Sequence, residues 1–353
     1  MTFIHGGQLE KIKQQFPHTK QAWIDLSTGV SPFSYPMDPK SNLDSQNLPQ
    51  YHAALNNAAA AYYGSNELLL TPGSMWSIQN LPLIRRLLHG DDNRPVLIPK
   101  QGFNEHKKAW QAWGFDIELY NHEPSVEQLM SAQACVIINP NNPTGKLFKH
   151  DQLANIHKIL SAHNAYLIVD EAFLDLSPES SMASYAHKHN LIILKSFGKF
   201  FGLPGLRVGA LIAQQDILHE ARKLLNEWSI SSVAQTTAIH AFLDIQWCAQ
   251  QTTNIKTASK RLSELLKSVG FDTQGTELFQ THYSDYAKSL YEYLLSHAIY
   301  VRLLDDESGV RFGLPKYESE WGRFENALLE FKQSTANKVL TLKTTNYKKA
   351  EPA

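Results

Sequence analysis

The sequence predicts an α/β fold, a mostly parallel sheet covered by helices, with a smaller α+β unit following it in the chain. Three observations carry the prediction. Across the middle of the chain, short runs rich in β-branched residues alternate with helix-like segments, the pattern left by strand-helix-strand crossovers. From about Thr252 that alternation gives way to a charged helix and a few short strands. The length, 353 residues of which 43% are hydrophobic, suits one large α/β domain or two domains sharing a sizeable core.

Residues 1–45 show little periodicity and carry Pro32, Pro36 and Pro39, so they are expected to form an arm that wraps over something else. Leu68–Thr71 reads as a strand, Pro72-Gly73 as a turn and Ser74-Met75 as a helix start, which leaves N–H groups aimed at any nearby anion. Further strands are expected at Pro95–Pro99, Ala134–Asn139, Ala165–Val169, Leu191–Lys195 and Val208–Ala213, with amphipathic segments such as Asp151–His163 between them. A charged helix follows at Asn254–Ser268, a turn at Gly270, a helix near Ser284–His297, and strands at Tyr300–Leu303 and Gly309–Phe312. Gln333–Ala353 holds Lys338, Lys343, Lys348 and Lys349 among few apolar residues, and a disordered tail is expected there. The expected division is therefore an arm over 1–45, a large domain over 46–245, a small domain over 246–332 and a tail over 333–353.

Charge is balanced, 33 Lys plus Arg against 34 Asp plus Glu. That excludes a protein working by blanketing nucleic acid or anionic membrane, which needs clustered cations, so any anion site is local. Cys135 and Cys248 are the only cysteines and give neither a disulfide framework nor metal-ligand spacing; reduced thiols and no metal are expected. The start of the chain lacks a basic region followed by an apolar stretch, and no apolar run reaches about 18 residues, so the chain reads as cytoplasmic.

The segment from Leu194 to Gly209 carries the most chemistry. It follows a strand and is crowded with Gly, which lets backbone approach a ligand closely. Ser196, Lys199 and Arg207 present a hydroxyl, an amine and a guanidinium from one loop, a set that would hold a phosphate and leave an amine free to react with an aldehyde. Asp170 ends the apolar run Tyr166–Val169, where open α/β sheets hold their ligands, and an acid there needs a cationic partner. The turn Asn139-Pro140-Asn141-Asn142-Pro143 could aim an amide into the same crevice, with Asn139 and Asn141 expected to serve the turn itself.

In this order, and at positions 142, 170, 196, 199 and 207, these pieces resemble the fold-type I aminotransferase superfamily, whose members use pyridoxal 5'-phosphate. The resemblance covers residues 1–330. It implies a large domain with a mostly parallel seven-stranded sheet between helices, a smaller α+β domain to which the arm contributes, and a homodimer acting on a small molecule. It makes Lys199 the catalytic lysine that forms an imine with the cofactor and Asp170 the partner of its pyridine N–H. Asn142 becomes a donor to the ring's 3-oxygen, and Ser74, the N–H of Met75, Ser196 and Arg207 hold its phosphate. Phe103 takes the place of the aromatic that stacks on the ring, where Tyr or Trp is usual. A second departure is Phe173, where many relatives place a Tyr that touches the 3-oxygen.

Within the superfamily, His5-Gly6-Gly7, the stretch Ile24–Pro32, Gly102–His106 with Trp110, and Val310–Pro315 are similar to the threonine-phosphate decarboxylases of cobalamin biosynthesis. Those enzymes convert L-threonine O-3-phosphate to (R)-1-amino-2-propanol O-2-phosphate and CO2. Histidinol-phosphate aminotransferases are the alternative, and they would show Tyr at 173 and Tyr-Pro in place of Leu48-Pro49. A phosphorylated amino acid needs a second anion site. Arg302, His5 and the loop Ser27-Thr28-Gly29 are expected to form it, with Arg311 taking the α-carboxylate. Glu105 and His106 receive no catalytic role, and Tyr51 is expected to reach the partner subunit's cofactor. A non-catalytic regulatory domain of this fold would carry a helix-turn-helix ahead of it, for which the arm is too short and too rich in Pro.

Overall fold

Runs of Val, Ile and Leu become strands when both of their faces can be buried, and the run at 134–138 has no exposed position. A computed structural model describes residues 6–37, 47–50 and 53–348. The chain divides into two compact units, one of residues up to Pro32 and from Lys256 onward, the other Phe33–Ile255. In chain order the first elements are α1 (Leu9–Gln15), β1 (Ile24–Asp25), α2 (Ala53–Tyr63), β2 (Leu68–Thr71), α3 (Ser74–His89), β3 (Val96–Pro99), α4 (Glu105–Ala112) and β4 (Ile117–Tyr120). Next come α5 (Val126–Ser131), β5 (Ala134–Ile138), α6 (His150–Ser161), β6 (Tyr166–Asp170), β7 (Leu191–Ser196), α7 (Phe197–Phe200), β8 (Gly209–Ala213), α8 (Gln215–Leu224) and α9 (Ser232–Leu243). Then α10 (Ile245–Ser268), β9 (Thr273–Thr276), β10 (Phe279–Tyr283), α11 (Ala287–Ser296), β11 (Ile299–Tyr300), β12 (Arg302–Leu303), β13 (Gly309–Gly313) and α12 (Glu318–Lys348) complete the order.

The unit Phe33–Ile255 holds a seven-stranded sheet in the order β2-β8-β7-β6-β5-β3-β4. Four of its six pairings are parallel, and β8 alone runs against both neighbours. On one face Val136, Ile138, Ile168, Ile192, Leu194 and Leu211 pack against α3, α4 and α8 through Ile78, Leu81, Ile84, Trp110 and Ile217. This is the mostly parallel sheet the sequence predicts. The outer strand β4, with Glu118 in its centre, was not expected, because an edge strand with one open side lacks the continuous apolar run.

The other unit pairs β1 with β11 in parallel and forms a four-stranded sheet β12-β13-β10-β9. The expected strand Tyr300–Leu303 is divided. The chain changes sheets at the buried Val301, so Ile299–Tyr300 pairs with the arm while Arg302–Leu303 pairs with β13. The described arm residues up to Pro32 group with this unit. The helix α12 also continues to Lys348, through most of the segment where a disordered tail was expected; no Gly or Pro interrupts residues 323–348. Among the described residues no helix is long and apolar enough to cross a membrane.

Trp110 lies fully buried on α4 with its ring edge-on to Phe115 at 4.8 Å. Trp110→Ala is expected to lower unfolding stability by about 3–5 kcal/mol. A urea titration followed by circular dichroism measures it, and a loss below about 1 kcal/mol would show that α4 does not anchor the sheet.

Candidate active site

The described site residues expected in the unit Phe33–Ile255 fall at one edge of the seven-stranded sheet. Ser74 and Met75 follow β2, Phe103 follows β3, Asn142 follows β5, Asp170 ends β6, Ser196 ends β7, and Arg207 precedes the antiparallel β8. Strand direction alone therefore gathers groups that lie up to 133 positions apart in the sequence. Gly209 stands opposite both Thr71 and Ser196 in the ladders, which fixes Ser196 beside the start of α3.

The anion cradle is built by what is missing from two glycines. Gly73 has φ +80° and caps α3 without a side chain. A Cβ on it would run into the Arg207 guanidinium, and a Cβ on Gly209 would lie 2.6 Å from the Ser74 nitrogen. Arg207 itself adopts the left-handed conformation, φ 54° and ψ 56°, and donates to the Pro204 carbonyl at 3.1 Å. A 16-residue helix thus presents its positive end beside a guanidinium and the Ser196 hydroxyl.

Asp170 is buried and makes two short contacts. Its Oδ2 lies 2.9 Å from His106 Nε2, and its Oδ1 accepts from the Ala172 N–H at 3.0 Å. The sequence reading assigned His106 no such part. The signal was present: it stands three residues after Phe103 at the start of α4, and its ring meets that of Phe103 edge-on at 6.4 Å. Lys199 projects from α7 with Nζ 5.4 Å from the centre of the Phe173 ring, so the residue that departs from the usual Tyr faces the amine. Asn139 and Asn141 serve the turn, as expected. Asn139 exchanges hydrogen bonds with the backbone of Phe148, and Asn141 donates to the Gln101 carbonyl at 2.9 Å and to Thr144 at 2.8 Å.

In the other unit, Arg302 and Arg311 stand directly opposite each other on β12 and β13, which puts two guanidinium groups on one face of a sheet. Arg311 is buried and donates to the Ser27 carbonyl at 2.8 Å. Burial, and then the charge of Arg302, push its pKa down to about 10, so it stays cationic at neutral pH. Arg302 forms an ion pair with Asp305, another partner the sequence reading did not name. Ser27 is fully buried, and its hydroxyl donates to Asp25 at 2.6 Å while accepting from the Gly7 N–H at 2.8 Å. Ser27 therefore holds the arm together and serves Arg311 through its backbone. Its neighbours Thr28 and Gly29 continue the loop. His5 and Tyr51 lie outside the described residues.

These residues fit a pyridoxal phosphate: a phosphate-sized cation cradle, a buried acid, an amide and a lysine converge on one sheet edge. Among the described residues no group of His, Cys, Asp and Glu is arranged to hold a metal ion.

The sequence model of one family, Aminotransferase class I and II, matches residues 17–328. A curated threonine-phosphate decarboxylase of Pseudomonas aeruginosa is 34% identical over 332 residues, covering 93% of this chain and 98% of its own. Two solved structures share the fold. The histidinol-phosphate aminotransferase of Clostridium acetobutylicum has a TM-score of 0.75 at 23% identity, covering 88% of this chain and 99% of its own. The L-threonine-O-3-phosphate decarboxylase of Porphyromonas gingivalis has a TM-score of 0.72 at 20% identity, covering 87% and 99%.

Close behind the sheet edge, Asp175 accepts a hydrogen bond from the Tyr62 hydroxyl at 3.0 Å. Burial raises its pKa to about 6, opposed by the charge of Lys195 and the Tyr62 bond; Glu171, Tyr63 and Cys248 also face it. Unfolded, the group titrates near 4. The native state therefore binds this proton more tightly. The group's contribution to stability is complete below about pH 4 and is lost as pH rises through about 6, on the order of 3 kcal/mol in all. Asp175→Asn keeps an acceptor for Tyr62 and is expected to gain that amount over the natural chain between pH 4 and pH 8. Urea titrations at both pH values check it, and a constant difference would contradict the assignment.

Proposed function

The chain belongs to the aminotransferase class I and II family, and from that premise we propose that it is a pyridoxal 5'-phosphate enzyme that decarboxylates L-threonine O-3-phosphate. The products are (R)-1-amino-2-propanol O-2-phosphate and CO2, a step of cobalamin biosynthesis. The observation that carries the choice of reaction is the similarity to the Pseudomonas aeruginosa decarboxylase across almost the whole of both chains. The arginine pair supports it, because a substrate carrying both a carboxylate and a phosphate needs two cationic partners. Phe173 supports it too, since the aminotransferase alternative calls for Tyr there. The active form is proposed to be a homodimer.

When bound, the cofactor supplies a protonated pyridine ring that takes up the electron pair left on the substrate's Cα. Asp170, held in place by His106 and the Ala172 N–H, would pair with the ring nitrogen and its proton. Arg207, Ser196, Ser74 and the N–H of Met75 would grip the phosphate, and Asn142 would hold the 3-oxygen. Phe103 would lie against the ring. Phe173 offers no hydroxyl, so the 3-oxygen has one donor fewer than in relatives with Tyr. Lys199 would supply the amine that bonds the cofactor's aldehyde and would hold the proton destined for Cα.

Arg302 with the Thr28-Gly29 loop is proposed to take the substrate phosphate and Arg311 the carboxylate. Fixing both ends of a short molecule leaves little freedom of rotation about Cα, and that rotation decides which bond breaks. His5, in the stretch Met1–Gly7, is proposed to add a donor to the phosphate.

Purified protein reconstituted with the cofactor is expected to release CO2 from L-threonine O-3-phosphate. Arg302→Ala should raise KM about tenfold or more by removing a charge-assisted contact. Absence of CO2 release alongside brisk amino transfer from histidinol phosphate to 2-oxoglutarate would refute the proposal and select the aminotransferase.

A further inference from the structure

We propose that the buried ion pair Lys195–Glu171 is a positioning device that locks the carboxyl ends of β6 and β7, so that Asp170 and the Ser196–Lys199 turn face the same crevice. The proposal rests on the reading of Asp170 and Lys199 as cofactor ligands. Asp170 stands opposite Leu194 in the last register pair of the two strands, and the Glu171 N–H donates to the Leu194 carbonyl at 2.9 Å. One residue further, where no cross-strand register pair remains, Lys195 Nζ lies 2.5 Å from Glu171 Oε2. The side chains continue the pairing after the register pairs have stopped.

Both partners are enclosed. The Glu171 side chain is fully buried and that of Lys195 nearly so. The Ser181 hydroxyl is 2.6 Å from Glu171 Oε2 and 3.1 Å from Lys195 Nζ, and the Met182 N–H donates to Glu171 Oε1 at 2.8 Å. Lys195 Nζ also lies 5.4 Å from the centre of the Tyr63 ring. Side chains alternate along a strand, so Glu171 and Lys195 occupy the face opposite Asp170 and Ser196. The pair therefore braces the cofactor groups from behind without touching what they touch.

Apolar residues of similar volume would pack this site at least as favourably, because desolvating two charges is expensive. What a salt bridge adds is a preferred geometry, since its short charge-assisted hydrogen bonds form best at one register, whereas apolar contacts tolerate sliding. A catalytic acid on one strand and a covalent lysine just beyond its neighbour need that register, and small displacements of such groups are heavily penalised.

The test is the double variant Lys195→Met with Glu171→Gln, neutral and nearly isosteric, which keeps an acceptor for the Met182 N–H. Its urea midpoint is expected near that of the natural chain, while the dissociation constant for pyridoxal 5'-phosphate rises about tenfold or more and kcat for CO2 release falls about tenfold. KM for L-threonine O-3-phosphate should stay within about threefold. Wild-type cofactor affinity and kcat in the double variant would overturn the proposal. Should the double variant fail to fold, Glu171→Asp decides: it keeps the charge and shortens the reach, so weakened cofactor binding at an unchanged urea midpoint supports positioning, and unchanged binding overturns it. A natural chain that binds no cofactor would instead refute the functional reading beneath it.

Discussion

A carboxylate buried at the end of an apolar strand is the constraint that organises the catalytic edge. Asp170 leaves water at a price unless donors replace its hydration, and both donors come from defined places: the imidazole of His106 and the N–H of Ala172. His106 must therefore enter from α4, which fixes the loop after β3 relative to the end of β6. The Phe103 ring is set by the same helix start. One buried charge thus places an aromatic, an imidazole and an acid around the volume where a ring would lie.

The phosphate end of the site depends on backbone more than on side chains. Gly73 and Gly209 bring the start of α3, the end of β7 and Arg207 closer than any residue with a Cβ would allow. Arg207 pays part of the conformational penalty through its left-handed backbone, a strain that persists because the surrounding strands determine it. In the other unit the repulsion between Arg302 and Arg311 is eased by Asp305 on one side and the Ser27 carbonyl on the other. Two guanidinium groups thus stand on one face of the sheet, each held by a neighbour from its own unit.

Much of this was legible in the chain. The apolar strands declared themselves because a parallel strand covered on both faces permits few other residues, and the order Asn142, Asp170, Ser196, Lys199, Arg207 carried the cofactor reading. What escaped had physical reasons. The edge strand β4 has one buried position among four, and the hairpin β9-β10 buries Thr281 and His282 beside Phe279, so neither shows the continuous apolar run of the inner strands. The break at Val301 depends on which sheet each half joins. His106 and the Glu171–Lys195 pair were hidden because a partner distant in sequence gives each its meaning, and a single sequence shows residues, not partners. Ser27 shows the converse: a loop hydroxyl that looked free for substrate is used up by Asp25 and Gly7.

The central claim is that Lys199, alone among the lysines, meets the aldehyde of pyridoxal 5'-phosphate held at this sheet edge. The most direct measurement is to titrate the cofactor into purified protein, reduce with borohydride and map the added mass by peptide mass spectrometry. The account predicts a saturable visible absorbance and a single modified peptide carrying the mass on Lys199. A protein that stays colourless, or a label spread over other lysines, would contradict it.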